Sequence, residues 1–212
     1  MTKPVLLLSI PAMLAIAAAM ELSRPHATPT THVAPVAPSA FEADPVHSAI
    51  LFQIRHAGVS NFSGRFTDFT GTFTFDEADP TASKFEFTAQ AASVDTNNEK
   101  RDDHLRNADF FNARQFPTIT FAGTSLTHVE GSRYTLSGDL TLLGQTKPVT
   151  AELEWLGEGT NPYGMAIGGF EARFEIKRSD FGSTKYLADD GSESGGLGNT
   201  VRLIVAVEGV KK

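Results

Sequence analysis

The chain contains no cysteine. Disulfides, a lipobox lipoprotein and a cysteine nucleophile are therefore excluded, and the fold must be held by its core and its hydrogen bonds alone. Basic residues are also scarce. Once an export signal carrying Lys3 is removed, 17 lysines and arginines face 25 acidic residues. That balance argues against nucleic acid and against electrostatic docking on anionic lipid, but it permits an apolar ligand held inside. A G-x-S-x-G elbow is missing too. The glycine-rich run Asp189 to Gly198 lacks the Gly-Lys-Ser/Thr of a P-loop and no helix follows it, so it reads as a mobile acidic hairpin loop. No nucleophile stands out, and the chain does not read as an enzyme. His56 or His104 acting as a base beside Asp102 is the arrangement that would change this.

Met1-Thr2-Lys3-Pro4 leads into an apolar run from Val5 to Met20, with Ala17-Ala18-Ala19 as a small-residue cleavage site. The run is short for a membrane span of ~20 residues and Pro11 interrupts it, so residues 1–19 read as a secretory signal cleaved after Ala19. The mature protein is then periplasmic or secreted, with no stable membrane span. Residues 20–45 are rich in Pro, Ala and Thr (Pro25, Pro29, Pro35, Pro38, Pro45) and read as an extended linker. Residues 46–210 remain as one domain with room for one core.

Within that domain eight stretches alternate apolar and polar residues, the period of a strand with one buried face. Ile50, Phe52, Ile54 and His56 share a face. After a turn at Gly58 to Gly64 come Phe69, Gly71, Phe73 and Phe75, with a bulge expected near Thr67-Asp68, then Phe85, Phe87, Ala89 and Ala91. Ile119 and Phe121 follow Pro117, then Tyr134 to Leu142, a hairpin at Gly144-Gln145, and Val149 to Trp155. Met165 and Ile167 share a face with Phe170, Phe174 and Ile176 only if parity changes at Gly168-Gly169, where glycine permits a bulge. Val201 to Val207 is the last strand. Glu99 to Asp109 alone breaks the period; Asn97 or Asn98 can cap a short helix there, anchored across one barrel end by Leu105, Phe110 and Phe111. The pattern defines an all-β, antiparallel, eight-stranded barrel with one lid helix, whose closure removes exposed edges.

Several segments resemble the YceI-like family of bacterial exported proteins. They are His47-Ser48 with Phe52 and His56, Gly64-Arg65-Phe66, Arg101-Asp102-Asp103-His104-Leu105 with Phe110-Phe111, and Phe116 to Phe121. Gly138 to Gly144 and Lys177-Arg178-Ser179-Asp180-Phe181-Gly182 complete the set, which spans His47 to Gly209 in order. The resemblance implies a lipocalin-like barrel holding a long isoprenoid lipid, a polyprenyl chain or an isoprenoid quinone, in its lumen. It implies no required cofactor beyond that bound lipid. The stretch before Asp44 is not part of the family pattern.

Phe52, Ile54, Phe73, Phe75, Phe87, Phe121, Leu140, Leu142, Trp155, Phe170 and Phe174 are the inward residues that would line such a lumen. Pattern alone favours the other reading, a solid-core structural or interaction barrel filled by its own side chains; the resemblance favours the tunnel. A polar headgroup must find partners, because burying it unpaired costs a few kcal/mol. His56, Arg101, Asp102, His104, Arg178 and Asp180 are the candidates for that mouth, with Arg101 or Arg178 meeting a phosphate or carbonyl oxygen. Their structural reading is an Arg-Asp network tying the helix and the Lys177-Gly182 turn to the barrel. Asp102, Asp103 and His104 are consecutive and point apart on a helix, so no metal site is expected. A homodimer is compatible with the sequence.

Overall fold

The strict alternation produces strands throughout, and a computed structural model describes residues 38–212. The expected export signal and the expected linker as far as residue 37 lie outside the described residues. The strands are β1 (Ser39–Ala43), β2 (Ala49–His56), β3 (Ser60–Phe66), β4 (Phe69–Phe75), β5 (Lys84–Gln90) and β6 (Val94–Asp95). The helix α1 (Glu99–Arg106) precedes β7 (Thr118–Glu130), β8 (Arg133–Leu142), β9 (Gln145–Thr160), β10 (Ala166–Lys177) and β11 (Leu197–Lys211).

All pairings are antiparallel, and β1 closes the ring by bonding to both β4 and β11. The segments merge into an eight-stave barrel. β1 and β2 lie end to end along β11, β3 and β4 run on across Thr67-Asp68, and β5 leads to β6, which returns to pair with β3. The bulge expected near Thr67-Asp68 is this break: Thr67 N–H donates to Ser93 O at 3.2 Å and Asp68 O accepts from Gln90 N–H at 2.8 Å. Asn98 caps α1, its side chain accepting from Arg101 N–H at 3.1 Å, and Glu99 and Asp102 occupy the first turn where the helix dipole favours them. No helix among the described residues is long and apolar enough to cross a membrane.

Four sequence readings need correction. The expected linker ends early: Ser39–Ala43 is a strand, and Phe41 is buried at 1% exposure. Five residues beside prolines are too short a window for their alternation to register. The expected turn from Gly58 to Gly64 holds most of β3, whose Phe62 pairs with Ile54; polar Ser and Asn at its exposed positions masked the strand. The tight hairpin is centred on Leu143-Gly144, both at positive φ (52° and 71°), rather than on Gly144-Gln145. The parity of β10 does not change. The extra residue is Leu156 of β9, opposite Gly169/Phe170, and Gly168 rather than Ile167 faces the interior, where a Cβ would lie 2.8 Å from the Phe41 ring.

Candidate functional site

The interior divides into a solid half and a hollow half. At the end carrying β1 and the β9–β10 hairpin, rings fill the bore. Phe41 stacks on Phe73 (centroids 4.9 Å apart), Phe75 stacks on Trp155 (4.0 Å), and Phe170 meets Phe73 and Phe85 edge-on (5.1 and 5.3 Å). Tyr134, Leu126, Leu153 and Val207 are among the other members of this cluster. Phe73, Phe75 and Trp155, expected in a lumen lining, belong to this floor and do not reach the cavity. Pattern gives the face a residue points to, but not its height along the axis.

Above the floor is a cavity of about 530 Å³, within the range that holds a drug-sized apolar ligand. Of the lumen candidates, Phe52, Ile54, Phe87, Phe121, Leu140, Leu142, Phe170 and Phe174 line it. Ile50, Phe85, Ala89, Ile119, Val201, Leu203 and Val205 join them; all are inward by alternation. Phe62 also lines it and was missed because its strand read as a turn. From Ile176 to Phe170 the inward residues of β10 span a depth of roughly 15 Å at about 3.3 Å per residue and a tilt near 40°.

Glycines keep the bore open. A Cβ on Gly64 would lie 2.3 Å from the Phe52 ring, on Gly71 2.1 Å from Phe87, and on Gly138 2.3 Å from Phe121. Each ring therefore lies flat across the glycine of a neighbouring strand, against the wall, instead of projecting into the lumen.

The mouth is ringed by His56, Arg101, His104, Arg178, Ser183 and Tyr186, with Leu105, Phe110 and Phe111 from α1 and its following loop. Arg178 is buried and donates to three carbonyls: Nε to Gly198 O (2.7 Å), one terminal nitrogen to Ser183 O (3.0 Å) and the other to Leu197 O (3.1 Å). Burial pushes its guanidinium below the usual value. Arg101 donates to Thr96 Oγ1 (2.8 Å) and Thr96 O (2.7 Å) and lies 4.3 Å over the Phe62 ring. The expected Arg-Asp network is absent: neither arginine has a carboxylate within ion-pair distance among the described residues. Asp102 is buried, does not reach the cavity, and accepts from both Thr96 N–H (2.9 Å) and Thr96 Oγ1. Asp180 is exposed and outside the cavity.

His104 faces Asp109 (3.1 Å) rather than Asp102, so no base-and-orienter pair assembles around Asp102. Asp109 also meets Lys185 at 3.2 Å, and these contacts, His104 first, hold its carboxyl below the usual range. This cluster joins the α1–β7 segment to the loop before β11. That loop, read as mobile, is tied at Glu193, which accepts from Thr200 N–H (2.9 Å) and Thr200 Oγ1 (2.6 Å).

One grouping went unnoticed in the sequence. Where β1 turns into β2, His47 Nδ1 lies 2.7 Å from Asp44 and 3.8 Å from Glu208 of β11. It is the grouping with metal-ligand spacing among the described residues. Hydrogen bonds explain the geometry without an ion: Asp44 also accepts from Val46 N–H at 2.8 Å, and Ser48 Oγ both donates to Glu208 O and accepts from Glu208 N–H. It is a strap that pins the β1–β2 corner.

A closed antiparallel eight-stranded barrel with an apolar, half-open bore defines the chain as a lipocalin-like barrel. The model of the YceI-like domain matches residues 41–209, and the chain belongs to the YceI-like family. It is 43% identical to Protein YceI of Salmonella arizonae over 183 residues, 86% of this chain and 92% of that protein. Solved structures share the fold, BcnA and a polyisoprenoid binding domain among them. BcnA of Burkholderia cenocepacia is 22% identical with a TM-score of 0.69, covering 78% of this chain and 98% of that one. A polyisoprenoid binding domain from Saccharophagus degradans, implicated in plant cell wall breakdown, is 14% identical with a TM-score of 0.56, covering 81% and 98%.

Proposed function

We propose that this protein is a periplasmic or secreted carrier that sheathes the apolar tail of a long-chain isoprenoid lipid, a polyprenyl chain or an isoprenoid quinone. The observation that carries this reading is the cavity of about 530 Å³, walled by phenylalanine and aliphatic side chains and open at one end only. An isoprenoid tail is disfavoured in water by ~25 cal/mol per Å² of its surface, and this sleeve removes that surface. Membership of the YceI-like family and the fold shared with a polyisoprenoid binding domain support the choice of lipid. The headgroup would sit at the mouth, where His56, Arg101, His104 and Tyr186 offer the polar atoms. Closure would come from α1 and the loop before β11, and the acidic surface would not oppose a guest held inside.

Native mass spectrometry of protein purified from its own envelope, followed by organic extraction, tests this. The expected result is one long-chain lipid per chain. Delipidated protein with no measurable affinity for polyprenols or isoprenoid quinones would overturn the reading.

A further inference from the structure

We infer that the aromatic floor gauges the ligand tail, so that the barrel selects among chains of one chemistry by their length. The inference rests on the lipid-binding reading above and adds to it the residues that set specificity.

The floor has two tiers. The tier facing the cavity is Phe85, Phe87 and Phe170, with Phe170 edge-on to the other two at 5.3 and 5.9 Å. Directly beneath, Phe73 meets Phe170 at 5.1 Å and stacks on Phe41 at 4.9 Å. Phe41, Phe73, Phe85 and Phe170 are each 1% exposed, so no passage leads past them. A chain entering at the mouth advances only to the Phe170 ring. Each methylene sheathed on the way strengthens binding roughly fourfold. A methylene beyond the floor must stay in water or force the chain to fold back, and the gain stops.

The width just above the floor is set by two small residues. Ala151 and Ala172 face the cavity and also belong to the floor cluster. Ala172 lies one inward step towards the mouth from Phe170 on β10. Because both alanines line the cavity, a larger side chain at either position takes up part of its volume and raises the floor.

The test uses the delipidated mature protein and two variants, Ala172→Phe and Phe170→Leu, each offered an equimolar ladder of all-trans prenols from farnesol upward and read by native mass spectrometry. In the unmodified protein the bound fraction climbs with length and then levels. Ala172→Phe moves that plateau to a shorter prenol, with a loss of about fourfold for each carbon excluded. Phe170→Leu moves it to a longer one. If all three proteins retain prenol with the same length distribution, the floor is not the gauge and the inference falls while binding stands. Should no prenol be retained by any of them, the lipid-binding reading itself falls.

Discussion

Burial lowers the affinity of Arg178 for its proton, yet an arginine keeps its charge in a folded protein, so the charge must be matched locally. The carbonyls of Gly198, Ser183 and Leu197 supply that match in place of a carboxylate. Arg178→Ala removes the donor for all three at once and is expected to destabilise the protein by about 2–4 kcal/mol, seen as a lower urea midpoint at unchanged slope. Arg178→Lys should recover only part of the loss, because a point charge cannot form the three-way fork. The strap at the β1–β2 corner is controlled by pH instead. Asp44 raises the pKa of His47, and His47 together with Val46 N–H lowers that of Asp44. The His47 contribution is complete below the ordinary histidine value of about 6.5 and fades as pH rises through the raised one. The Asp44 contribution is complete above about 3.9 and fades as pH falls through the lowered one. The corner is thus tightest between roughly pH 4 and 6.5. Amide exchange at Ala43 and Asp44 should quicken, beyond the intrinsic pH effect, as pH rises above that window, and His47→Ala should abolish the excess.

Among the strands, three phenylalanines are held against the wall by glycines one strand away. The wall position of Phe87 depends on the missing side chain at Gly71. Gly71→Ala places a methyl where the ring now lies, turns the ring into the bore, and should reduce uptake of a long prenol at least tenfold (about 1.4 kcal/mol) while the fold survives. A crystal structure of the variant with Phe87 unmoved would refute this. The same pairs mark what could be read from the sequence. Alternation gave the inward face of β2, β5, β8 and β11 and hence most of the cavity wall, and the capped, charged run at Asn98 gave α1. Strand pairing was not legible, so Gly64 read as the end of a turn and the start of a family motif but not as the partner of the Phe52 ring, and β1 was hidden beside prolines. The fate of Phe73, Phe75 and Trp155 was likewise out of reach, since a two-residue period carries no record of axial height. Arg101 and Asp102 read as members of an Arg-Asp network tying the helix to the barrel; each turns instead to Thr96, because the period of a sequence does not show which loop a helix face meets.

The whole barrel divides its aromatic content between two tasks: one end is packed to solidity and anchors closure through Phe41 of β1, and the other keeps walls without a filling. A folded protein with an empty apolar space of about 530 Å³ gives up dispersion contacts that a filled core would make, and it leaves void volume that unfolding eliminates. Both deficits are repaired by a guest. Delipidated protein should therefore unfold at lower pressure than protein saturated with a prenol, because pressure favours the state without the void. At a free ligand concentration of about 100 times Kd the guest should add roughly 2.7 kcal/mol of stability. Ala172→Phe supplies an internal control. By occupying part of the void it should raise the unfolding pressure of the empty protein and shrink the further rise that prenol produces. Intrinsic fluorescence of Trp155, half-buried in the floor and stacked on Phe75, reports the transition without a label. Identical unfolding pressures for empty and filled protein would mean that the bore collapses or fills with its own side chains when no guest is present.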